Sequence, residues 1–345
     1  MSEQDILLRD WAALYEAAIE FKNLRCWEWM NDSDLFGVEN PETGEIGYCC
    51  VLGQLGEVLA LNMYPGSEGL ASYWRLHQAS SAAMEQEEAL DESVLIGTQL
   101  CLMASFEDRS ELHQNDLQII RALGMKFRGK NQWPLFRSYR PGFVPWFLTQ
   151  PEVRFLSIAL RQAMEVATKF RDKPDLLDSS EGDAELYFVR VREEGIWKDK
   201  WREPAPYVAP NPVPLLDEVR LARIQRRNFP RQATWRAAYV VLPMIVEEGE
   251  RPYYPCGFPV LSDNGMALGI DLFKPGEIEQ ALGEKFLDLV ERLKYLPERL
   301  LVVNEKAFQI LEPIAGRLGF QIKQAKRLPA IEAFLRKMEE YIDRR

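Results

Sequence analysis

Two stretches of this 345-residue chain mix cations with aromatic rings densely enough to act on an anionic ligand. Residues 220–236 hold Arg220, Arg223, Arg226, Arg227, Arg231 and Arg236, with Phe229 and Trp235 and no acid. Residues 126–140 interleave Lys126, Arg128, Lys130, Arg137 and Arg140 with Phe127, Trp133, Phe136 and Tyr139. Cations suit phosphate contact and rings suit base stacking. The candidate binding set is therefore Arg220, Arg223, Arg226, Arg227, Arg231 and Trp235 from the first stretch, with Trp133 and Arg137 from the second. The opposing reading pairs these cations with the chain's own 53 acids and sends the rings to the core, and the net charge of −11 favours it.

Nucleophilic and metal chemistry have little to work with. His77 and His113 are the two histidines. A Ser-His-Asp relay would need one of them, and no Gly-x-Ser-x-Gly elbow accompanies either. Zinc-hydrolase spacing, a Walker A loop and a dinucleotide-binding glycine pattern are all missing from the sequence. The turns Pro65-Gly66-Ser67 and Pro275-Gly276-Glu277 lead into helix starts where an anion could sit. Glu68 and Glu277 already place negative charge there, so capping is the better reading. No catalytic set, resident metal or cofactor is expected.

The five cysteines form neither a disulfide framework nor a zinc site, because the count is odd and no Cys-x-x-Cys occurs. They read as buried, reduced side chains of a cytoplasmic protein. The longest apolar runs, such as Ala237–Val246, fall short of the roughly 20 residues a spanning helix needs. The N-terminus lacks a basic, apolar start, so no secretory signal is expected, and Ser2 with Asp5 reads as a helix cap.

The elements that must position these residues form two mixed-sheet α/β (α+β) units with packed helices. A helix is expected over 5–21, strands at Tyr48–Leu52 and Val58–Tyr64, and a helix starting near Ser67. Strand Gln99–Phe106, helix Asp116–Leu123 stopped by Gly124, and strand Met125–Arg128 follow. Thr149, Pro151 and Glu152 make a strong start for a helix to about Phe170, and Leu186–Arg192 is a strand. The five prolines of 204–214 form a stiff linker, dividing residues 1–203 from 215–345. The second unit then runs β-β-β-α-β-α-β-α, with strands at Ala238–Val246, Gly257–Leu261, Met266–Phe273, Leu300–Val303 and Phe320–Lys323. Its helices are Glu277–Leu293, Ala307–Leu318 and Ala330–Ile342.

An internal duplication is one reading of the spacing. Ile119, Leu123, Gly124, Phe127, Trp133, Pro134, Phe136 and Tyr139 overlay Ile314, Leu318, Gly319, Ile322, Leu328, Pro329, Ile331 and Phe334 without a gap. Val51-Leu52 and Gly56 share the spacing of Val260-Leu261 and Gly265, each pair leading to a strand that ends in Pro-Gly. The other reading is that any helix–Gly–strand unit looks this way, because glycine supplies the left-handed helix stop.

The element order over residues 234–345 resembles the ribonuclease-H-like fold. That resemblance implies two metal ions held by carboxylates on the first strand, the fourth strand and a later helix. The first strand carries no acid, and the fourth ends in Asn304 where the family has aspartate. Asp271, Glu305 and Glu332 are the candidate survivors of a degenerate acidic site. The run Trp11, Leu14-Tyr15, Cys26-Trp27-Glu28-Trp29, Leu35–Pro41, Gly47-Tyr48, Gly53, Gly56-Glu57 and Tyr64–Leu70 resembles a bacterial family of unknown function. Tyr253-Tyr254-Pro255 and Leu328-Pro329 resemble its companion domain. The expected function is non-catalytic binding of a protein or small molecule in an aromatic-lined groove. The alternative is nucleic-acid binding, or a metal-dependent nuclease using Asp271, Glu305 and Glu332. No membrane partner is expected.

Overall fold

The computed structural model describes residues 8–54, 56, 58–87, 89–178, 185–208, 217–242 and 244–342. The expected cap at Ser2 and Asp5, and residues 209–214 of the proline stretch, lie outside these. The chain divides into two compact units, Met1–Pro141 with Pro145–Val208, and Gly142–Val144 with Ala209–Arg345.

The first unit opens with α1 (Leu8–Leu24), followed by β1 (Phe36–Glu39), β2 (Ile46–Leu52), β3 (Ala60–Pro65), α2 (Gly66–Glu85), α3 (Glu92–Thr98) and β4 (Cys101–Glu107). It continues with α4 (Gln114–Ala122), β5 (Trp133–Tyr139), α5 (Gln150–Asp172), β6 (Tyr187–Glu193) and β7 (Ile196–Arg202). The seven strands form one sheet in the order β5-β4-β3-β2-β1-β6-β7. Neighbours are antiparallel except β1 and β6. Because side chains alternate across a strand, the sheet has two apolar faces. Phe36, Val38 and Met63 meet Leu14, Phe21, Leu156 and Leu160 of α1 and α5. Tyr48, Tyr64 and Tyr187 meet Leu70 and Tyr73 of α2. The start of α5 is fixed by Glu152, whose Oε2 accepts from the Thr149 N–H at 2.7 Å and from its hydroxyl at 2.9 Å.

Two expectations fail in this unit. Met125–Arg128 is not a strand, and β5 runs instead through Trp133–Tyr139, where Pro134, Phe136 and Ser138 alternate inward. The gap-free overlay therefore lays strand β5 on residues that are helical in the second unit. Likewise, no element is expected between the helix over 5–21 and the strand at Tyr48, yet β1 forms there and pairs with β2 through Phe36↔Cys49.

The second unit holds α6 (Glu218–Arg227), β8 (Thr234–Ala237), β9 (Val240–Val241), β10 (Cys256–Leu261), β11 (Ala267–Phe273) and α7 (Ile278–Leu293). After these come β12 (Arg299–Val302), α8 (Glu305–Leu318), β13 (Gln321–Gln324) and α9 (Pro329–Ile342). The sheet order is β11-β10-β8-β12-β13, with the short β9 paired to β10. β8, β12 and β13 run parallel, and β10 is antiparallel to β8 and β11. Leu282, Phe286, Ile310 and Ile314 of α7 and α8 pack on Trp235, Phe258 and Leu300. On the opposite face, Ile331 of α9 packs with Ala238 and Leu261.

The first strand of this unit lies upstream of the expected Ala238–Val246. Trp235 and Ala237 point into the core and β8 pairs with both β10 and β12. Tyr239 leaves the ladder because the Asn304 side chain takes both its N–H and its carbonyl. Gly142–Val144 joins this unit through hydrogen bonds: the Val144 N–H donates to the Pro252 carbonyl and the Tyr254 N–H to the Gly142 carbonyl.

Candidate functional site

Helix α4 ends on Gly124, whose φ of 67° is the left-handed stop a side chain would resist. The Gly124 N–H donates to the Arg121 carbonyl and the Met125 N–H to the Ile120 carbonyl, at 3.0 and 3.1 Å. This paired closure caps α4 and folds the following loop back along the helix, bringing Met125 over Ile120. The result is an open cleft of about 380 Å³. Leu117, Ile120, Met125, Phe127 and Trp133 supply its apolar lining. Arg109, Arg121, Lys126 and Arg128 supply the charged lining, and no carboxylate joins them.

All four cations are exposed. Among the described residues none of the four has an ion-pair partner. The Arg109 guanidinium lies 5.9 Å from the centre of the Trp133 ring, and Phe127 is tilted against that ring at 5.8 Å. Of the expected binding pair in this stretch, Trp133 lines the cleft and Arg137 does not. Arg137 is held by both oxygens of Asp116, at 3.0 and 2.7 Å. Asp116 is itself buried and also accepts the His113 N–H at 2.9 Å. Arg137 thus ties β5 to the start of α4 and is not available to a ligand.

The arginines of 220–236 separate into two kinds. Arg220, with a side chain only 13% exposed, contacts Glu284, Asp288 and Glu291 of α7 at 2.6, 2.6 and 2.8 Å. Burial pulls its pKa down, but the hydrogen bonds it donates to those three carboxylates outweigh it and hold the guanidinium charged. Arg231 donates to the Leu318 carbonyl at 2.9 Å, and Arg236 to the Ser262 carbonyl at 3.1 Å. Trp235 is wholly buried against Phe286 and Tyr295, so it is a core ring and not a stacking platform. Arg223, Arg226 and Arg227 stay exposed on α6, with Arg227 at 3.9 Å from Glu291.

The three candidate acids do not converge. Asp271 sits on β11 opposite Phe258, hence on the sheet face that carries α7 and α8. Burial raises its pKa, with Lys285 and Arg292 nearby pulling the other way. Glu332 belongs to α9 on the opposite face and is bound by Arg327 at 3.0 and 2.7 Å. Glu305 is exposed in the first turn of α8, where it accepts from Gln309. The sheet therefore stands between Asp271 and Glu332. Among the described residues, no group of three or more His, Cys, Asp or Glu is placed to hold a metal ion.

A family model described as a domain of unknown function (DUF7309) matches residues 11–190. The chain belongs to the DUF7309 family. A second model, also of a domain of unknown function (DUF6930), matches residues 220–339. No curated protein matches the chain.

Within the DUF7309 region the cleft uses residues that sequence reasoning passed over. Arg109 sits in a short turn before α4, and Arg121 in the last turn of α4 itself. Neither belongs to a dense basic run, so composition alone does not flag them. The usable signal was Gly124: a glycine closing an amphipathic helix returns the next residues to that helix, which joins Arg121 with Lys126 and Arg128. In the DUF6930 region, no helix among the described residues is long and apolar enough to cross a membrane, and the same holds for the DUF7309 region.

Proposed function

We propose that this chain is a non-catalytic binding protein that takes its partner in the cleft between α4 and the loop running to β5. The observation that carries this reading is the cleft's lining: five apolar side chains under four cations without a carboxylate among them. On a chain with a net charge of −11, four neighbouring cations without an ion-pair partner among the described residues form a local patch of the opposite sign, able to steer an anionic partner to this place. Concave, largely apolar sites with a few polar groups are the usual form of a binding site. Five buried, unpaired cysteines support a reducing, cytoplasmic setting, and the family resemblance supports a bacterial one.

The same reading treats the second unit as a ribonuclease-H-like scaffold without its catalysis. Its support is the strand order: counted without β9, the strands lie third, second, first, fourth, fifth. Asn304, at the end of the fourth strand, is committed to the backbone of Tyr239. A repeated unit is supported only as far as two antiparallel hairpins each followed by a helix, β2-β3-α2 and β10-β11-α7.

A test is capture from bacterial extract by wild-type protein and by the Lys126→Glu/Arg128→Glu variant. Partners retained by the wild type and lost by the variant support the reading; identical profiles refute it. The second reading, nucleic-acid binding by the second unit, is favoured by the exposed face of Arg223, Arg226 and Arg227 beside this strand order. Steeply salt-dependent oligonucleotide binding lost in an Arg223→Glu/Arg226→Glu variant would establish it. Manganese calorimetry with Asp271→Asn separates a nuclease from a mere binder.

A further inference from the structure

We propose that the cleft's occupant is an acidic peptide segment bearing one apolar anchor side chain, a proposal that rests on the cleft reading above. Three features of the lining select this chemistry. The floor is mixed aliphatic and aromatic, with Ile120 and Met125 beside Trp133, and a methionine adapts to whichever apolar side chain enters. A volume of about 380 Å³ accommodates one large side chain with its flanking backbone.

The cations come from three segments: Arg109 before α4, Arg121 at its end, and Lys126 with Arg128 beyond it. Charge delivered from separate segments around an apolar floor matches carboxylates spaced along a chain. A single compact phosphate would leave most of these cations unmatched.

Base stacking is the weaker use of this site. Trp133 already carries Arg109 over its ring and Phe127 against it. A base would have to displace one of them, whereas an aliphatic or aromatic side chain can enter beside Ile120 and Met125. The carboxyl end of α4 would repel an anion if its carbonyls were bare. The Ile120 and Arg121 carbonyls are instead taken by the Met125 and Gly124 N–H groups, and Arg121 adds a positive charge at that end.

The test is fluorescence anisotropy of short fluorescein-labelled peptides of alternating Glu and Asp around one central Phe. The controls are the same peptide with Ser for Phe, the same peptide with Lys for the acids, and an oligothymidylate. Wild-type protein should bind the Phe peptide, lose about tenfold in affinity for the Ser peptide, and ignore the Lys peptide. The Lys126→Glu/Arg128→Glu variant should bind the Phe peptide at least about tenfold more weakly. Both substituted side chains are exposed, so folding is not at stake, and an unchanged melting curve verifies it.

Equal binding of the Phe and Ser peptides, or no effect of the variant, overturns the proposal. Oligothymidylate binding that the variant abolishes, without peptide binding, overturns the peptide class while leaving the cleft as the binding site. No response to any probe, together with unchanged capture from extract by the variant, overturns both.

Discussion

Asn304 and Tyr239 hold each other by two hydrogen bonds: the Tyr239 N–H donates to Asn304 Oδ1 at 2.6 Å, and Asn304 Nδ2 donates to the Tyr239 carbonyl at 2.9 Å. The pair locks the exit of β8 to the exit of β12, the place where the ribonuclease-H-like resemblance implies an aspartate. An amide can serve both bonds because it carries a donor and an acceptor; an ionised carboxylate is acceptor-only.

Asn304→Asp therefore keeps the first bond and turns the second into an oxygen facing an oxygen. The expected cost is about 1–3 kcal/mol of stability at neutral pH, read by urea unfolding. The deficit should shrink on acidification, when the carboxyl takes a proton and regains a donor. A variant as stable as the parent at pH 7 would show that this bond pair does not lock the strand ends.

Among the described residues, Arg220 alone in its stretch is shared by three acids. Glu284, Asp288 and Glu291 stand along one face of α7, and without the guanidinium they repel one another. Arg220→Ala should cost about 2 kcal/mol, less than a fully buried pair because the carboxylates are partly solvated. Arg220→Lys should recover only a fraction, since one ammonium cannot reach three carboxylates as a planar fork does. Chemical denaturation followed by far-ultraviolet circular dichroism reads both, and equal stability of the three proteins would contradict the staple.

Much of the fold was legible because periodicity and punctuation agreed. The Thr149–Glu152 box, the amphipathic face of α7 and the glycine stops at Gly124 and Gly319 each appear where their local chemistry requires. The misses are equally local. The inward alternation of Pro134, Phe136 and Ser138 was masked by the interleaved Arg137 and Trp133, which read as a binding stretch. Trp235 was mistaken for a platform because a sequence does not show that its four-residue strand lies between two others. For the proposed cleft, the basic composition led to the loop that carries Lys126, Arg128 and Trp133, but Arg137 is spent on Asp116, while Arg109 and Arg121 arrive through folding.

The cysteines make a chemical prediction. Burial pushes the Cys26 and Cys101 thiols up to about 12 and raises those of Cys49, Cys50 and Cys256. Thiolate is the reactive form, so buried and protonated thiols are slow to attack. A colorimetric disulfide reagent at pH 8 should label none of the five within the native state and all of them in denaturant. Rapid native labelling of any one would contradict its placement in the core.

Arg190 supplies a pH-dependent test of the first unit. It is buried, with its Nε donating to Gln162 at 3.0 Å and its Nη1 bonded to Asp199, which also accepts from Lys169 at 2.6 Å. Burial pushes the Asp199 carboxyl up, but the hydrogen bonds from Lys169 and Arg190 and their charges outweigh it, leaving its pKa below the usual carboxylate value. A depressed folded pKa stabilises the native state above the unfolded value of about 3.9, and that contribution is lost as pH falls through the folded pKa. Asp199→Asn should therefore cost about 1–2 kcal/mol at pH 7, reduced from a fully buried pair because Asp199 is a third exposed. Below the folded pKa both proteins present a neutral group there, and their stabilities should draw together. A difference that stays constant across this range would mean that Asp199 acts through packing, and that the charge of Arg190 is balanced elsewhere.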